Sequence, residues 1–290
     1  MFGPNRIAVL TDSNSGISRE EGEKLGIGIL PMPFMIDEEI YFEDVDLTVE
    51  EFFERQASGC EIHTSQPSAG DVIQLWKEAL EEADSIVYIP MSSGLSSSTQ
   101  TALMLAEDFD GKVQVVNNQR ISVTQRQATM DAVELARAGK TAVEIKEILE
   151  KEALEASIYI MVDTLEYLKK GGRLTPAVAA IGSALRLKPV LQIQGEKLDA
   201  FTIARSRKQA IAKMIAAMKK DIDERFGGLD NVHLEGAHTQ NPEGVEELLA
   251  GIRKEFGEKE VHVDPLSLSV SCHIGPGSIA IACSKKLGEQ

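Results

Sequence analysis

The chain has 290 residues, 43% of them hydrophobic and 26% charged. That is the balance of a folded protein with a core of useful size, and the length fits two ordinary domains or one large α/β domain. Thirty Lys+Arg against 46 Asp+Glu give a net charge of −16, which argues against nucleic acid partners and against docking on anionic lipid. The three cysteines, Cys60, Cys272 and Cys283, form neither a disulfide framework nor a zinc spacing. No apolar run approaches a membrane span and no signal-peptide core precedes the first strand pattern, so stable membrane insertion is not expected and a cytoplasmic location is.

Short apolar runs alternate with amphipathic segments, the pattern of an α/β protein with mostly parallel strands. Arg6–Thr11 reads as the first strand, followed by the polar loop Asp12–Gly16. Ser18-x-x-Glu21, Thr48-x-x-Glu51, Ser68-x-x-Asp71 and Thr141-x-x-Glu144 each have the form of a helix start. The runs Ile27–Ile36 and Ile40–Phe42, on either side of Asp37-Glu38-Glu39, predict a hairpin. Strands are expected at Ser85–Pro90, Lys112–Asn117 and Ile158–Val162, with a helix to about Glu107 between the first two and another to about Ala156. Hydroxyl-rich loops follow several strands, and in parallel sheets such junctions lie at the carboxyl edge where ligands bind.

The pattern changes after about Asp163. Gly171-Gly172 and Pro176 break the chain, and Ala177–Leu187 reads as an unusually apolar helix. A strand pair over Val190–Gln194 and Lys197–Ile203 turns at Gly195-Glu196. A long helix from Ser206 to Phe226, a strand at Val232–Ala237, a helix at Pro242–Phe256 and strands at Glu260–Val263 and Ser278–Ala282 complete the chain. The reading is two α/β domains, residues 1–160 with a parallel sheet and residues 161–290, meeting near 157–163.

Several motifs fail on inspection. Gly139-Lys140-Thr141 lacks the opening glycine of a phosphate loop, since Glu134 stands there. Asp108–Gly111 lacks the first and last carboxylates of a calcium loop, where Ala106 and Asn117 stand. Gly26-Ile27-Gly28 lacks the third glycine of a dinucleotide fingerprint, and Gly94–Ser98 lacks the second glycine of a nucleophile elbow. The histidines have no metal spacing. No metal and no cofactor is expected.

Four segments remain. HTSQPS, His63–Ser68, places three hydroxyls around a proline before a helix; a helix cap accounts for Ser68 but not for Thr64 and Ser65. MSSGLSSST, Met91–Thr99, follows an apolar strand and is either a turn with a helix cap or a receptor for an anion. KKGGR, Lys169–Arg173, is either a solvated helix end or a glycine turn that lets an arginine turn inward. HIGPG, His273–Gly277, sets a histidine before a tight turn. Together they offer hydroxyls, one permanent cation and one switchable cation, a set suited to a carboxylate or phosphate. The apolar stretches Ile29–Ile36 and Ala177–Leu191 add surface for an amphipathic ligand such as a fatty acid.

The segments VLTDSNSGIS, TSQPS, SSGLS, TLEYLKKGGRL and HIGPG, in that order and across nearly the whole chain, resemble the DegV family of bacterial fatty-acid-binding proteins. The resemblance implies two α/β domains with a ligand tunnel between them, one long-chain fatty acid, and a fatty acid kinase as partner, which phosphorylates the bound carboxylate to an acyl phosphate for phospholipid synthesis. It implies that Thr64 and Ser96 hold the carboxylate and that Arg173 and His273 stand at the family's arginine and histidine positions. With Ser97 beside Ser96, the candidate ligand-binding residues are Thr64, Ser96, Ser97, Arg173 and His273, and no catalytic residue is expected. The loop departs from the family in carrying Ser97 where a glycine is usual. The stretch NNQRISVTQRQ, with Asn117, Asn118, Thr124 and Arg126, departs from an Asp-Ser pair and small residues.

The physics agrees with such a ligand. About fifteen methylenes at about 0.8 kcal/mol each supply on the order of 12 kcal/mol of gross driving force, reduced by ordering costs. The carboxylate then needs partners, because an isolated buried charge is costly. A serine-dependent hydrolase or transferase using Ser96 or Ser97 with His273 as base is the competing reading, and a carrier of another amphipathic molecule is a third.

Overall fold

The computed structural model describes residues 6–173, 175–180 and 187–288. The chain divides into two compact units between Leu154 and Glu155.

The first unit runs through β1 (Ile7–Asp12), α1 (Arg19–Leu25), β2 (Ile27–Leu30), β3 (Pro33–Ile36), β4 (Glu39–Phe42), α2 (Val49–Ser58), β5 (Ile62–Thr64), α3 (Ala69–Glu82), β6 (Ser85–Ile89), α4 (Ser98–Ala106), β7 (Val113–Val115), α5 (Val123–Arg137) and α6 (Ala142–Lys151). The main sheet has the order β2-β1-β6-β7 and every neighbouring pair is parallel. Its loops after β1, β6 and β7 therefore leave from one edge. A second, antiparallel sheet has the order β4-β3-β5. The β3–β4 hairpin turns on Asp37 and Glu38, both with positive φ (49° and 71°), the geometry of a two-residue turn matched to strand twist.

The helix starts read from the sequence form as expected. The side chains of Thr48 and Thr141 accept from the backbone N–H of Glu51 and Glu144, whose carboxylates return the bond. Ser18 and Ser68 accept from the N–H of Glu21 and Asp71. In the core of this unit the single tryptophan, Trp76, is fully buried and meets Tyr88 and Phe109 edge-on at 5.7 and 5.3 Å.

The second unit runs through β8 (Ala156–Met161), α7 (Glu166–Lys170), α8 (Pro176–Ala179), β9 (Lys188–Ile193), β10 (Leu198–Ala204), α9 (Arg207–Glu224), β11 (Val232–His238), α10 (Pro242–Phe256), β12 (Val261–Pro265), α11 (Leu268–Ile274) and β13 (Ile279–Lys285). Its sheet has the order β10-β9-β8-β13-β11-β12, and only β11–β12 is parallel. The expectation of mostly parallel strands therefore fails here: β13 returns between β8 and β11 and runs against both. Met214, Met218 and Ile222 of α9 pack with Tyr159 and Met161 of β8 and Ile281 of β13.

Two other expectations shift. The boundary lies before β8, because that strand pairs with β9 and β13 and so belongs to the second sheet, not to residues 1–160. Of the apolar helix expected over Ala177–Leu187, the structure shows α8, and residues 181–186 lie outside the described residues. No helix among the described residues is long and apolar enough to cross a membrane.

Candidate functional site

The carboxyl edge of the parallel sheet is stitched by a buried polar network. Asp12, fully buried, accepts from the N–H of Asn14 at 3.0 Å, the N–H of Met91 at 2.9 Å and Nε2 of Gln125 at 3.0 Å. Burial raises its carboxyl above the usual range even against these bonds. Gln125 Nε2 also donates to Thr11 Oγ1 and to the carbonyl of Ile89. Thr99 Oγ1 donates to the carbonyl of Met91 at 2.6 Å, and the N–H of Ser92 to the carbonyl of Arg120 at 2.8 Å. These bonds fix the loop between β6 and α4 against the loops after β1 and β7.

Of the hydroxyls singled out in the sequence, Ser96 and Ser97 sit on this frame and Thr64 on the antiparallel sheet. Thr64 ends β5, half-buried, in register with the fully buried Phe34 of β3. Ser96 is half-buried, and its Oγ accepts from the N–H of Ser98 at 3.2 Å, which leaves its own O–H to donate. Ser97, exposed, donates its hydroxyl to Oε1 of Gln66 at 2.9 Å, and Thr101 Oγ1 donates to the same oxygen at 3.2 Å. Gln66 belongs to the TSQPS segment, so the two hydroxyl loops are joined. The Ser98 hydroxyl, at the first position of α4, is buried with no hydrogen-bond partner among the described residues. A polar group there is costly unless something pairs with it.

Neither Ser96 nor Ser97 has an imidazole or carboxylate among these partners, and an amide oxygen is not a base. These hydrogen bonds do not activate a serine as a nucleophile. Among the described residues no three His, Cys, Asp or Glu side chains gather as metal ligands.

Arg173 and His273 come together in the second unit. After α7 the chain passes through Gly171 and Gly172 (φ +69°), and the N–H of Arg173 donates to the carbonyl of Leu168. Arg173 does not turn inward as the glycines suggested. It is exposed, and its guanidinium donates to the carbonyl of Gly171 at 2.7 Å. The ring of His273, in the last turn of α11, lies directly on Gly171: a methyl group there would be 2.0 Å from Nδ1. Burial, reinforced by the charge of Arg173, pushes His273 down to about 4. It is therefore neutral at pH 7, a hydrogen-bonding group and not the switchable cation the sequence suggested.

The turn after His273 is built the same way. Gly275 (φ +76°) would set a methyl 2.2 Å from the ring of Tyr167, and Gly277 (φ +84°) one 2.8 Å from the carboxylate of Asp163. Asp163 is itself paired with Lys188 at 2.7 Å.

The departures in NNQRISVTQRQ have structural employment. Arg126 grips the carboxylate of Glu21 with both terminal nitrogens, joining α5 to α1. Thr124 Oγ1 donates to the carbonyl of Ile121 at 2.9 Å, and the N–H of Asn117 to Glu150 at 2.9 Å. Sequence reasoning passed over Asp12, Gln66, Ser98 and Gln125. Gln66 stood inside a segment valued only for its hydroxyls, and the Asp12–Gln125 bond spans more than a hundred residues.

The profile of the DegV family ("Uncharacterised protein, DegV family") matches residues 6–286. A DegV domain-containing protein of Listeria innocua is 30% identical over 287 residues, covering 97% of this chain and 99% of its own. One from Deinococcus radiodurans is 29% identical over 280 residues, covering 95% and 97%. Among solved structures, a fatty-acid-binding DegV family protein from Thermus thermophilus superposes with a TM-score of 0.88 at 29% identity, covering 97% of this chain and 99% of its own. DegV of Bacillus subtilis, a fatty acid binding protein, gives 0.84 at 26% identity, covering 97% and 100%.

Proposed function

The chain belongs to the DegV family, and from that membership and the hydroxyl loops of its first unit we propose that it is a non-enzymatic carrier of one long-chain fatty acid. Thr64 and Ser96 donate to the carboxylate. The observation that carries this reading is the joined pair of loops: Gln66 ties TSQPS to the start of α4, while the half-buried Ser96 keeps a hydroxyl hydrogen to give. Hydrogen bonds to a charged carboxylate contribute about 1.5–3 kcal/mol each. The acyl chain supplies the larger, non-directional part of the affinity.

The carrier presents the carboxylate to a fatty acid kinase, which forms the acyl phosphate that feeds phospholipid synthesis. Two features of the second unit support this step. Arg173 is exposed and permanently charged, the residue type best suited to a phosphoryl group, and His273 beside it is a neutral hydrogen-bonding partner. The setting is cytoplasmic, in keeping with three cysteines that form no disulfide among the described residues.

Two measurements test the reading. Mass spectrometry of lipid extracted from the native protein should find one fatty acid per chain. Incubation with ATP and a bacterial fatty acid kinase should give acyl phosphate only when both proteins are present. Acyl phosphate formed by this chain alone, or extracts free of fatty acid from protein that also takes none up, would refute the proposal.

A further inference from the structure

We infer that Gln66, with Ser97 and Thr101, is a positioning clamp that holds the two carboxylate-binding loops at a fixed separation, and that Ser97 serves the site through this clamp and not as a ligand donor. The inference rests on the fatty-acid reading above.

The geometry is direct. Ser97 and Thr101 are four residues apart at the start of α4, bonded through the N–H of Thr101 and the carbonyl of Ser97 at 3.0 Å, so both hydroxyls lie on one face of the first turn. Both point their hydrogens at a single acceptor, Gln66 Oε1, at 2.9 and 3.2 Å. The Ser97 hydroxyl makes no cap bond to α4. Its one hydrogen is engaged by Gln66 and is not available to a carboxylate.

The clamp sits between the two residues it positions. Thr64 lies two residues before Gln66, and Ser96 one residue before Ser97. Ser68 is fixed as the cap of α3 and Pro67 is buried, whereas Gln66, between Thr64 and that cap, is exposed. Its side-chain bonds across to α4 tie this loop to the other. A pre-set separation lowers the ordering cost when one carboxylate must meet two hydroxyls at once.

The test is a double-mutant cycle on delipidated full-length protein, titrated with hexadecanoic acid. Gln66→Ala and Ser97→Ala should each weaken binding by about three- to tenfold. The double variant should lose little more than Gln66→Ala alone, because both changes break one device. Urea midpoints should stay at the wild-type value, as expected for exposed side chains.

Gln66→Glu gives a second readout. A carboxylate still accepts both hydroxyls, so hexadecanol, which has no charge, should bind the Glu variant as it binds wild type. Hexadecanoic acid should bind it more weakly, from repulsion between two carboxylates, and the deficit should shrink with added salt. Wild-type binding of the acid combined with unaltered affinity in Gln66→Ala, or with fully additive losses in the double variant, overturns the clamp alone. Failure of wild type to bind any fatty acid overturns the carrier reading and the clamp's purpose with it.

Discussion

The two units position their candidate residues by different means. In the first, parallel strands deliver three loops to one edge, hydrogen bonds between those loops set where Ser96 stands, and the antiparallel β3–β5 pair with the Gln66–Ser97 bond sets Thr64. In the second, missing side chains do the placing: Gly171 makes room for the ring of His273, and Gly275 for that of Tyr167. Bonded loops can lose one contact and retain their course. A turn that depends on the absence of a methyl group has no such tolerance, because the ring opposite must move. Sensitivity to substitution should therefore be graded in the first unit and abrupt in the second.

The largest expected effect is at the turn after α11. Gly275→Ala combines a positive φ with a methyl 2.2 Å from the ring of Tyr167. It should destabilise the second unit by about 3 kcal/mol or more. Hydrogen exchange along α7 and α11 is the direct readout, and protection equal to wild type there would break the contrast. By comparison Ser97→Ala in the first unit should leave the urea midpoint unmoved.

Acid should act with opposite signs through one group in each unit. Burial holds His273 down at about 4 from its ordinary 6.5, so the unfolded chain binds the proton first. That contribution to stability is complete above pH 6.5 and is lost as pH falls toward 4. Asp131, on α5, is raised by burial from 3.8 to about 6, so there the native state takes the proton first and stability is gained as pH falls through 6 toward 3.8. Each effect is on the order of 2 kcal/mol between pH 7 and pH 4.5. Urea titrations at the two pH values check it. Asp131→Asn should remove the acid benefit, read by Trp76 fluorescence in the first unit, and His273→Gln the acid penalty, read by exchange in the second. Matching pH dependence in wild type and both variants would contradict the assignment.

In the second unit Arg173→Ala should have a small effect on folding. The side chain is exposed and, among the described residues, donates to a local carbonyl, so stability should change by less than about 0.5 kcal/mol. Fatty acid affinity should also be retained, while acyl phosphate formation with added kinase falls. A loss of acid binding equal to that of Ser96→Ala would place Arg173 on the carboxylate instead.

What was legible in the sequence follows the same physics. Helix starts were, because Thr48–Glu51 and Thr141–Glu144 carry their capping chemistry within four residues. The hairpin was, because Asp37 and Glu38 sit between two apolar runs. α5 carries no such signal. It begins at Ser122 without a side-chain cap, and it buries Thr124, Gln125, Thr129 and Asp131, so the apolar stripe that betrays a helix is weak. The mixed second sheet was hidden for another reason: strand direction is set by where each connection returns, and β13 inserts between two strands far away in the chain. Of the candidate site, the hydroxyls and the Arg–His pair were visible as residue types. Their partners were not, since Gln66 with Ser97, and Asp12 with Gln125, meet only after folding.

The central claim is that a fatty acid carboxylate is held by the hydroxyl loops of the first unit. Calorimetric titration of delipidated protein with hexadecanoic acid, on wild type, Thr64→Ala and Ser96→Ala, tests it most directly. One site per chain is expected in wild type, and affinity lower by about ten- to hundredfold in each variant, with the fold intact. Wild-type affinity in both variants would contradict it and return the hydroxyl loops to the role of ordinary helix caps.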